Sequence, residues 1–233
     1  MTSATEMLDA IKSKKPLELE EFKSSEIKIA PNPFSSSGAE RWPYYAQIED
    51  SSIPFVVKRF KEQLGESMEK AHARGRYQTQ VYIQNACAAF AKQFNNEVKK
   101  AAILDAKPLS FTMATLVEVF VGTTKTMLYN MEKELEGFDK WTNNAGGISI
   151  KDELVTAFSH WKHHFSGGVV MISDLQGFLN NDTGIYWLCD PAIHCLLDIL
   201  GWGLTNLGEK GMDLFFESHK CNKVCKALGL RHR

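Results

Sequence analysis

The sequence predicts an α+β protein of two lobes, the first rich in strands and the second built of helices around a buried strand. Three observations lead there. Apolar residues alternate over 26–58 and return to strand character over 109–132, the period of a half-buried strand. They recur at helical spacing over 79–94 and over 152–160. Between these halves stands Asn143-Asn144-Ala145-Gly146-Gly147, a run of turn formers at a lobe boundary.

The elements follow in order. Residues 1–24 are rich in Lys and Glu and read as a loosely attached extension, with Met7, Leu8 and Ile11 along one side of a short helix. Ile27, Ile29 and Phe34 alternate, then Trp42, Tyr44 and Ala46, and Phe55-Val56-Val57-Lys58 closes the group. The small residues of Ser35-Ser36-Ser37-Gly38-Ala39 allow a tight turn between the first two strands. Residues 61–75 and 79–94 read as helices; in the second, Val81 with Ala88, and Tyr82 with Ala86, Ala89 and Phe90, recur at helical spacing. In the second half, 152–160 reads as a helix ended by Gly167-Gly168. Val169-Val170-Met171-Ile172 reads as a buried strand, and 191–200 and 211–228 as helices.

Composition narrows the function. The chain has 233 residues, 44% apolar and 24% charged, enough for a sizeable core. A net charge of −1 gives no electrostatic case for nucleic acid or an anionic membrane. No apolar run approaches the ~18 residues of a membrane span, and residues 1–15 lack the apolar stretch of a secretory signal. Five cysteines without such a signal point to a reducing, cytoplasmic location, where thiols serve packing or metal binding.

Two groups of residues carry chemistry. His219, Cys221 and Cys225 lie within seven positions and suit tetrahedral Zn²⁺ once a fourth ligand arrives. Cys221 and Cys225, four apart, would share a helix face; His160, His163 and His164 are the available fourth ligands. Buried thiols without metal are the plainer alternative. The second group is acidic. Asp174 follows a strongly apolar strand, with Gln176 two residues on and Asp190-Pro191 after a loop. Such oxygen donors at strand ends suit Mg²⁺, although spacing alone favours Asp174 and Asp190 as turn and helix-cap residues. Lys58 either points a fixed charge at a phosphate or lies on a solvated strand edge. The glycine-bounded stretch 203–208 could cradle phosphate or a peptide backbone.

Taken together, these segments resemble the α-kinases, atypical protein kinases of the myosin heavy chain kinase, elongation factor 2 kinase and channel-kinase type. The resemblance covers roughly 26–230. It rests on Pro33-Phe34 with Gly38-Ala39-Glu40-Arg41 and Tyr44, Phe55-Val56-Val57-Lys58, and Gln84 with Ala88, Ala91 and Phe94-Asn95. Met131-Glu132, Glu136-Gly137 with Lys140-Trp141 and Asn143-Asn144, and Ala157-Phe158-Ser159-His160-Trp161 come next. Asp174-Leu175-Gln176-Gly177, Asp190-Pro191, Thr205-Asn206-Leu207-Gly208 and His219-Lys220-Cys221-Asn222 with Cys225 complete the order.

The resemblance implies a two-lobed kinase-like fold with nucleotide in the cleft. The β-rich N-lobe would span about 25–132 and a zinc-stabilised C-lobe about 133–230. It implies ATP and Mg²⁺ as cofactors, and Ser or Thr hydroxyls of a protein as acceptors. Lys58 resembles the phosphate-contacting lysine, Arg41 and Gly38 the phosphate-covering turn, and the Met131 and Glu132 backbone the adenine-holding hinge. Asp174 resembles the catalytic aspartate, and Gln176 and Asp190 the Mg²⁺ ligands. Asn206 resembles a residue of the family's glycine-rich loop. His160, His219, Cys221 and Cys225 resemble its zinc ligands, which selects His160. Three features depart from the family pattern. The stretch 178–188 is longer, 120–128 is expanded, and Gln80 stands where an acid that steadies the nucleotide lysine is expected. These motivate an alternative, a nucleotide-binding pseudokinase or scaffold.

Overall fold

Alternation in twos produces a five-stranded antiparallel sheet. The computed structural model describes residues 25–36, 38, 40–62, 67, 70, 72–121, 125–197 and 202–231. The extension expected over 1–24 and seven residues of the helix expected over 61–75 lie outside these. The sheet is formed by β1 (Ile27–Ile29), β2 (Arg41–Ile48), β3 (Pro54–Phe60), β5 (Thr115–Val121) and β6 (Lys125–Lys133), in the order β1-β2-β3-β6-β5. One face carries Ala46, Val57 and Tyr129 with Tyr44, Phe55, Met127 and Met131 packed around them. Phe34, expected in the first strand, lies beyond β1 and stacks on Tyr45.

The described residues divide into two compact units. Residues 25–82 and 113–134 form one, and 83–112 with 135–231 the other. The chain passes from the first to the second within α1 (Arg74–Lys100). This helix is longer than the 79–94 expected. Its last turns hold Asn, Glu and Lys around a single buried Val98, so periodicity fades there while Lys99 and Lys100 suit the C-terminal dipole.

The second unit holds a four-stranded sheet ordered β4-β10-β9-β7, from β4 (Leu109–Phe111), β7 (Asp139–Lys140), β9 (Gln176–Asn180) and β10 (Ile185–Cys189). A two-stranded ladder pairs β8 (Val170–Ser173) with β11 (Ala192–Cys195). Its helices are α2 (Glu153–Phe165), α3 (Gly208–Ser218) and α4 (Lys223–Ala227). The core joins Cys87, Phe90 and Phe94 of α1 to Val155, Phe158 and Trp161 of α2 and to Ile172, Leu188 and Ile193 of the strands. Asp152 caps α2 by accepting from the Leu154 and Val155 amides, and its other oxygen takes the Tyr186 hydroxyl at 2.6 Å. That carboxylate therefore stabilises the helix start and ties it to β10.

Two expectations are corrected. The helix expected over 191–200 is instead β11 where it begins, paired antiparallel with β8 and with all four of its residues buried. Burial on both faces removes the alternation that would have marked a strand. The single helix expected over 211–228 is two, α3 and α4, with Asn222 capping α4 through the Val224 and Cys225 amides.

One core residue is out of place chemically. Lys162 on α2 has no exposed surface, and its Nζ lies 3.5 Å from the Phe90 ring centroid without a hydrogen-bond acceptor. Burial lowers its pKa to about 8. The unfolded chain thus binds more protons than the folded one between about 8 and the ordinary 10.5, and stability from this group rises with pH across that window. Below it the full cost stands, about 3 kcal/mol. Lys162→Met should raise the melting temperature at pH 7 by roughly 5–10 °C, and the gap should narrow at pH 10. Equal melting of the two proteins at both pH values would contradict this.

Candidate functional site

The second face of the five-stranded sheet is polar. Lys58 on β3 pairs in register with Asn130 on β6, and Val56 with Glu132. Lys58 and Glu132 are thus diagonal neighbours on one face, within reach of long side chains. They form a buried ion pair. Lys58 sits mid-sheet rather than on a solvated edge, so the edge-lysine reading falls. Arg41, opposite Phe60, shares this face and reaches Asn130 Oδ1 at 3.4 Å. Asn130 in turn donates to the Tyr77 carbonyl at 2.8 Å. Nearby, the Gly38 carbonyl accepts from Lys61. The Met131 side chain lies on the apolar face, and the β5–β6 ladder ends at the Thr115–Met131 rung.

In the other unit, strand register assembles the acidic group. Lys140 pairs with Gln176, and Gln176 with Cys189, across β7, β9 and β10. Asp174 and Asp190 directly follow β8 and β10, and both have left-handed backbones, φ 55° and 51°. Aspartate is among the few side chains that tolerate this region, and such strain collects at functional sites. Lys140 Nζ lies 2.8 Å from Asp174 Oδ1. The next amide, Leu175 N–H, donates to Thr142 Oγ1 at 2.9 Å. Gln176 Nε2 donates to the Asp190 carbonyl at 3.2 Å, and the Asp190 amide donates to Gln84 Oε1 at 3.1 Å. Burial raises the Asp174 pKa; Lys140 opposes this, and the nearby Asp190 charge adds to it.

The long stretch 178–188 is the turn and arms of the β9–β10 hairpin. Asn180 Oδ1 accepts from the Asp182 and Thr183 amides to close it. A hairpin of any length returns to the same rung, so the extra residues leave Gln176 beside Cys189 and Asp190. Gly177 is required here. Its φ is 146°, and a Cβ would stand 2.0 Å from the Trp187 carbonyl oxygen.

A third cluster gathers His160, His219, Cys221 and Cys225, whose donor atoms all lie within 4.8 Å of one another. Cys221 does not share a helix with Cys225 as the spacing suggested. It precedes the Asn222 cap, and His219 is the C-cap of α3. The break between the two helices is what lets the donors converge. His160 Nε2 faces the Arg231 carbonyl at 2.9 Å, so its proton is there and Nδ1 carries the lone pair. That Nδ1 lies 3.3 Å from His219 Nε2 and 3.7 Å from Cys221 Sγ, and His219 Nε2 is 3.5 Å from Cys225 Sγ. Tetrahedral Zn²⁺ with ordinary bond lengths sets donors about 3.3 Å apart for N···N and about 3.6 Å for N···S. The residues present therefore fit that ion.

Asn206 spends its side chain on the chain itself. Its Oδ1 accepts from the Cys195 and Gly208 amides at 3.0 and 2.9 Å, and Nδ2 donates to the Cys195 carbonyl. Sequence reasoning did not single out the Glu132 carboxylate, Lys140 or Thr142 as partners. Each depends on strand register, which sequence spacing does not carry.

Comparison with known proteins adds to this geometry. Residues 36–225 match the Alpha-kinase family. The chain is 33% identical over 229 residues to Alpha-protein kinase vwkA of Dictyostelium discoideum, covering 97% of the chain and 35% of that protein. It is 38% identical over 216 residues to Eukaryotic elongation factor 2 kinase of Caenorhabditis elegans, covering 88% and 25%. The chain thus spans about a third or less of these relatives' length. The structure of the α-kinase domain of Myosin-II Heavy Chain Kinase A in complex with AMP-PNP superposes with a TM-score of 0.72 at 25% identity, covering 90% of this chain and 88% of that one. Among the described residues, no helix is long and apolar enough to cross a membrane.

Proposed function

Because the chain belongs to the alpha-kinase family, we propose that it transfers the γ-phosphoryl group of ATP to a serine or threonine hydroxyl of a protein substrate. The observation that carries this reading is the join of Lys140, Asp174, Gln176 and Asp190 by one run of strand register. Support for the nucleotide comes from the AMP-PNP complex of the related domain.

Phosphoryl transfer asks little covalent chemistry of a protein; it asks for positioning and for charge on the transferring oxygens. Lys58, held by Glu132, would present a fixed cation to the ATP phosphates, and Arg41 with the Gly38 turn would cover them. The Met131 and Glu132 backbone would hold adenine. Asp174 would orient the acceptor hydroxyl and take its proton, with Lys140 keeping the carboxylate in place. Two acidic groups that repel each other beside a carboxamide make a donor set suited to Mg²⁺. Gln176 and Asp190 would hold that ion, which supplies positive charge to the phosphoryl oxygens. Zn²⁺ at His160, His219, Cys221 and Cys225 would be structural, since four protein donors leave no open position. Asn206 would act through the 203–208 loop, near the acceptor peptide.

Two of the three features that motivated a pseudokinase have physical explanations. Glu132 replaces the acid missing at Gln80 as the partner of Lys58, and the long stretch is a hairpin that keeps its ends together. The test is phosphate transfer from γ-labelled ATP, with Mg²⁺, to a basic helical peptide bearing Ser or Thr. No label on peptide or chain would sink the proposal. A companion experiment addresses Lys58. Glu132→Gln should weaken AMP-PNP binding about tenfold, or about 1.4 kcal/mol, in calorimetric titration, because the lysine loses the carboxylate that holds it in place. Unchanged affinity would mean Glu132 has no part in holding it.

A further inference from the structure

His194 on β11 has no exposed surface, and its ring touches three other segments. Nδ1 accepts the Leu207 amide at 3.2 Å. Nε2 lies 2.9 Å from the Asn144 carbonyl oxygen and 3.0 Å from Ser173 Oγ. An amide only donates and a carbonyl only accepts, so the proton sits on Nε2. Ser173 therefore faces an N–H rather than a lone pair. The two are not a nucleophile and its base; the ring is a three-way staple. Burial lowers its pKa, which favours this neutral form.

The surrounding chain is shaped to the ring. On α3, a Cβ at Gly211 would stand 2.5 Å from His194 Nε2, so glycine there leaves the imidazole its space. On the next residue of β11, Cys195 is clipped to Asn206 by two hydrogen bonds. The 203–208 loop is thus held from consecutive residues of one strand. Each stapled segment bears on the chemistry: Ser173 precedes Asp174, Asn144 follows Lys140 and Thr142 in the chain, and Leu207 closes the 203–208 loop.

We propose that His194 is a positioning residue that holds the 203–208 loop, and with it the acceptor peptide, in register with Asp174. This rests on the reading of the chain as a protein kinase with Asp174 as proton acceptor and the 203–208 loop beside the acceptor peptide. His194 touches no reacting atom in this scheme; it sets the distance between the carboxylate and the surface that presents the hydroxyl. Misplacement by about 1 Å costs on the order of 100-fold in rate.

Three variants divide the staple. His194→Asn keeps an acceptor for Leu207 but is too short to reach Asn144 and Ser173. His194→Gln offers a donor near the Nε2 position and leaves the Leu207 amide without its acceptor. His194→Ala removes both. Transfer kinetics are measured well below each melting temperature. For His194→Ala, kcat should fall on the order of 100-fold and the KM for peptide should rise, while the KM for ATP stays unchanged. His194→Asn should restore the peptide KM and His194→Gln should restore part of kcat. Wild-type kcat and peptide KM in folded His194→Ala would overturn the proposal, as would equal loss of ATP and peptide affinity. Amide hydrogen exchange gives a readout independent of activity. Protection at Leu207 should survive in His194→Asn and vanish in His194→Gln; equal protection in both would refute the staple. A wild-type chain that transfers no phosphate would defeat the kinase reading alone, and exchange would still judge the staple.

Discussion

Asp174→Asn should lower phosphoryl transfer on the order of 10³-fold, the scale of a lost general base, while leaving the fold nearly as stable. The choice of asparagine follows from the backbone. Asp174 has φ 55°, a region that asparagine tolerates and alanine does not. Asparagine also keeps the shape that packs beside Lys140 and removes only the charge and the proton-accepting oxygen. Asp174→Ala should lose the same rate and in addition melt earlier, by the roughly 1–2 kcal/mol that a Cβ without local hydrogen bonds costs in that region. The pair of variants therefore separates chemistry from strain. Kinetics should fall alike in both, and melting should fall only in alanine. Retention of wild-type kcat by Asp174→Asn would remove Asp174 from the mechanism.

What the sequence made legible depended on how each segment is buried. The five-stranded sheet could be read because one face packs on Val57 and Tyr129 while the other carries Arg41, Lys58 and Glu132. A half-buried strand writes its period into the chain. β11 could not be read, since Ala192, Ile193, His194 and Cys195 are all buried. The same limit hid the role of His194, which appears in sequence only as a polar residue in an apolar run. The Lys140–Asp174 pair depends on β7 lying beside β9, and the Lys58–Glu132 pair on β3 lying beside β6. Register is a property of the assembled sheet, so no spacing along the chain foretells it. The metal donors were legible by type alone. Their approach to one another comes from a helix break at Asn222 that the apolar pattern of 211–228 concealed.

That break makes the cysteines the sharpest test of the metal. Cys225 is fully buried and Cys221 only partly. If they were plain packing residues, Cys225→Ser would be costly and Cys221→Ser nearly neutral, since a half-exposed serine keeps its water. If both ligate Zn²⁺, the two substitutions should act alike. Structural zinc in small domains is worth about 10–16 kcal/mol of apparent binding energy, and that energy is folding energy. Here the ion would join α2, the end of α3 and the start of α4, reinforcing the hydrogen bonds from Asn222 to Glu153 and Thr156 and the Lys223–Glu153 ion pair. Losing one thiolate is expected to lower the melting temperature by more than about 10 °C, at roughly 2–4 °C per kcal/mol for a domain of this size. Elemental analysis should find about one zinc per wild-type chain and much less in either variant. Cys87→Ser serves as the control, because Cys87 is equally buried but stands outside the donor cluster. It should lose some stability and keep its zinc. A Cys221→Ser protein that melts like the wild type would leave the four donors as ordinary side chains. A matched fall for both cysteines, with zinc lost, would identify the ion as what holds the helix break closed.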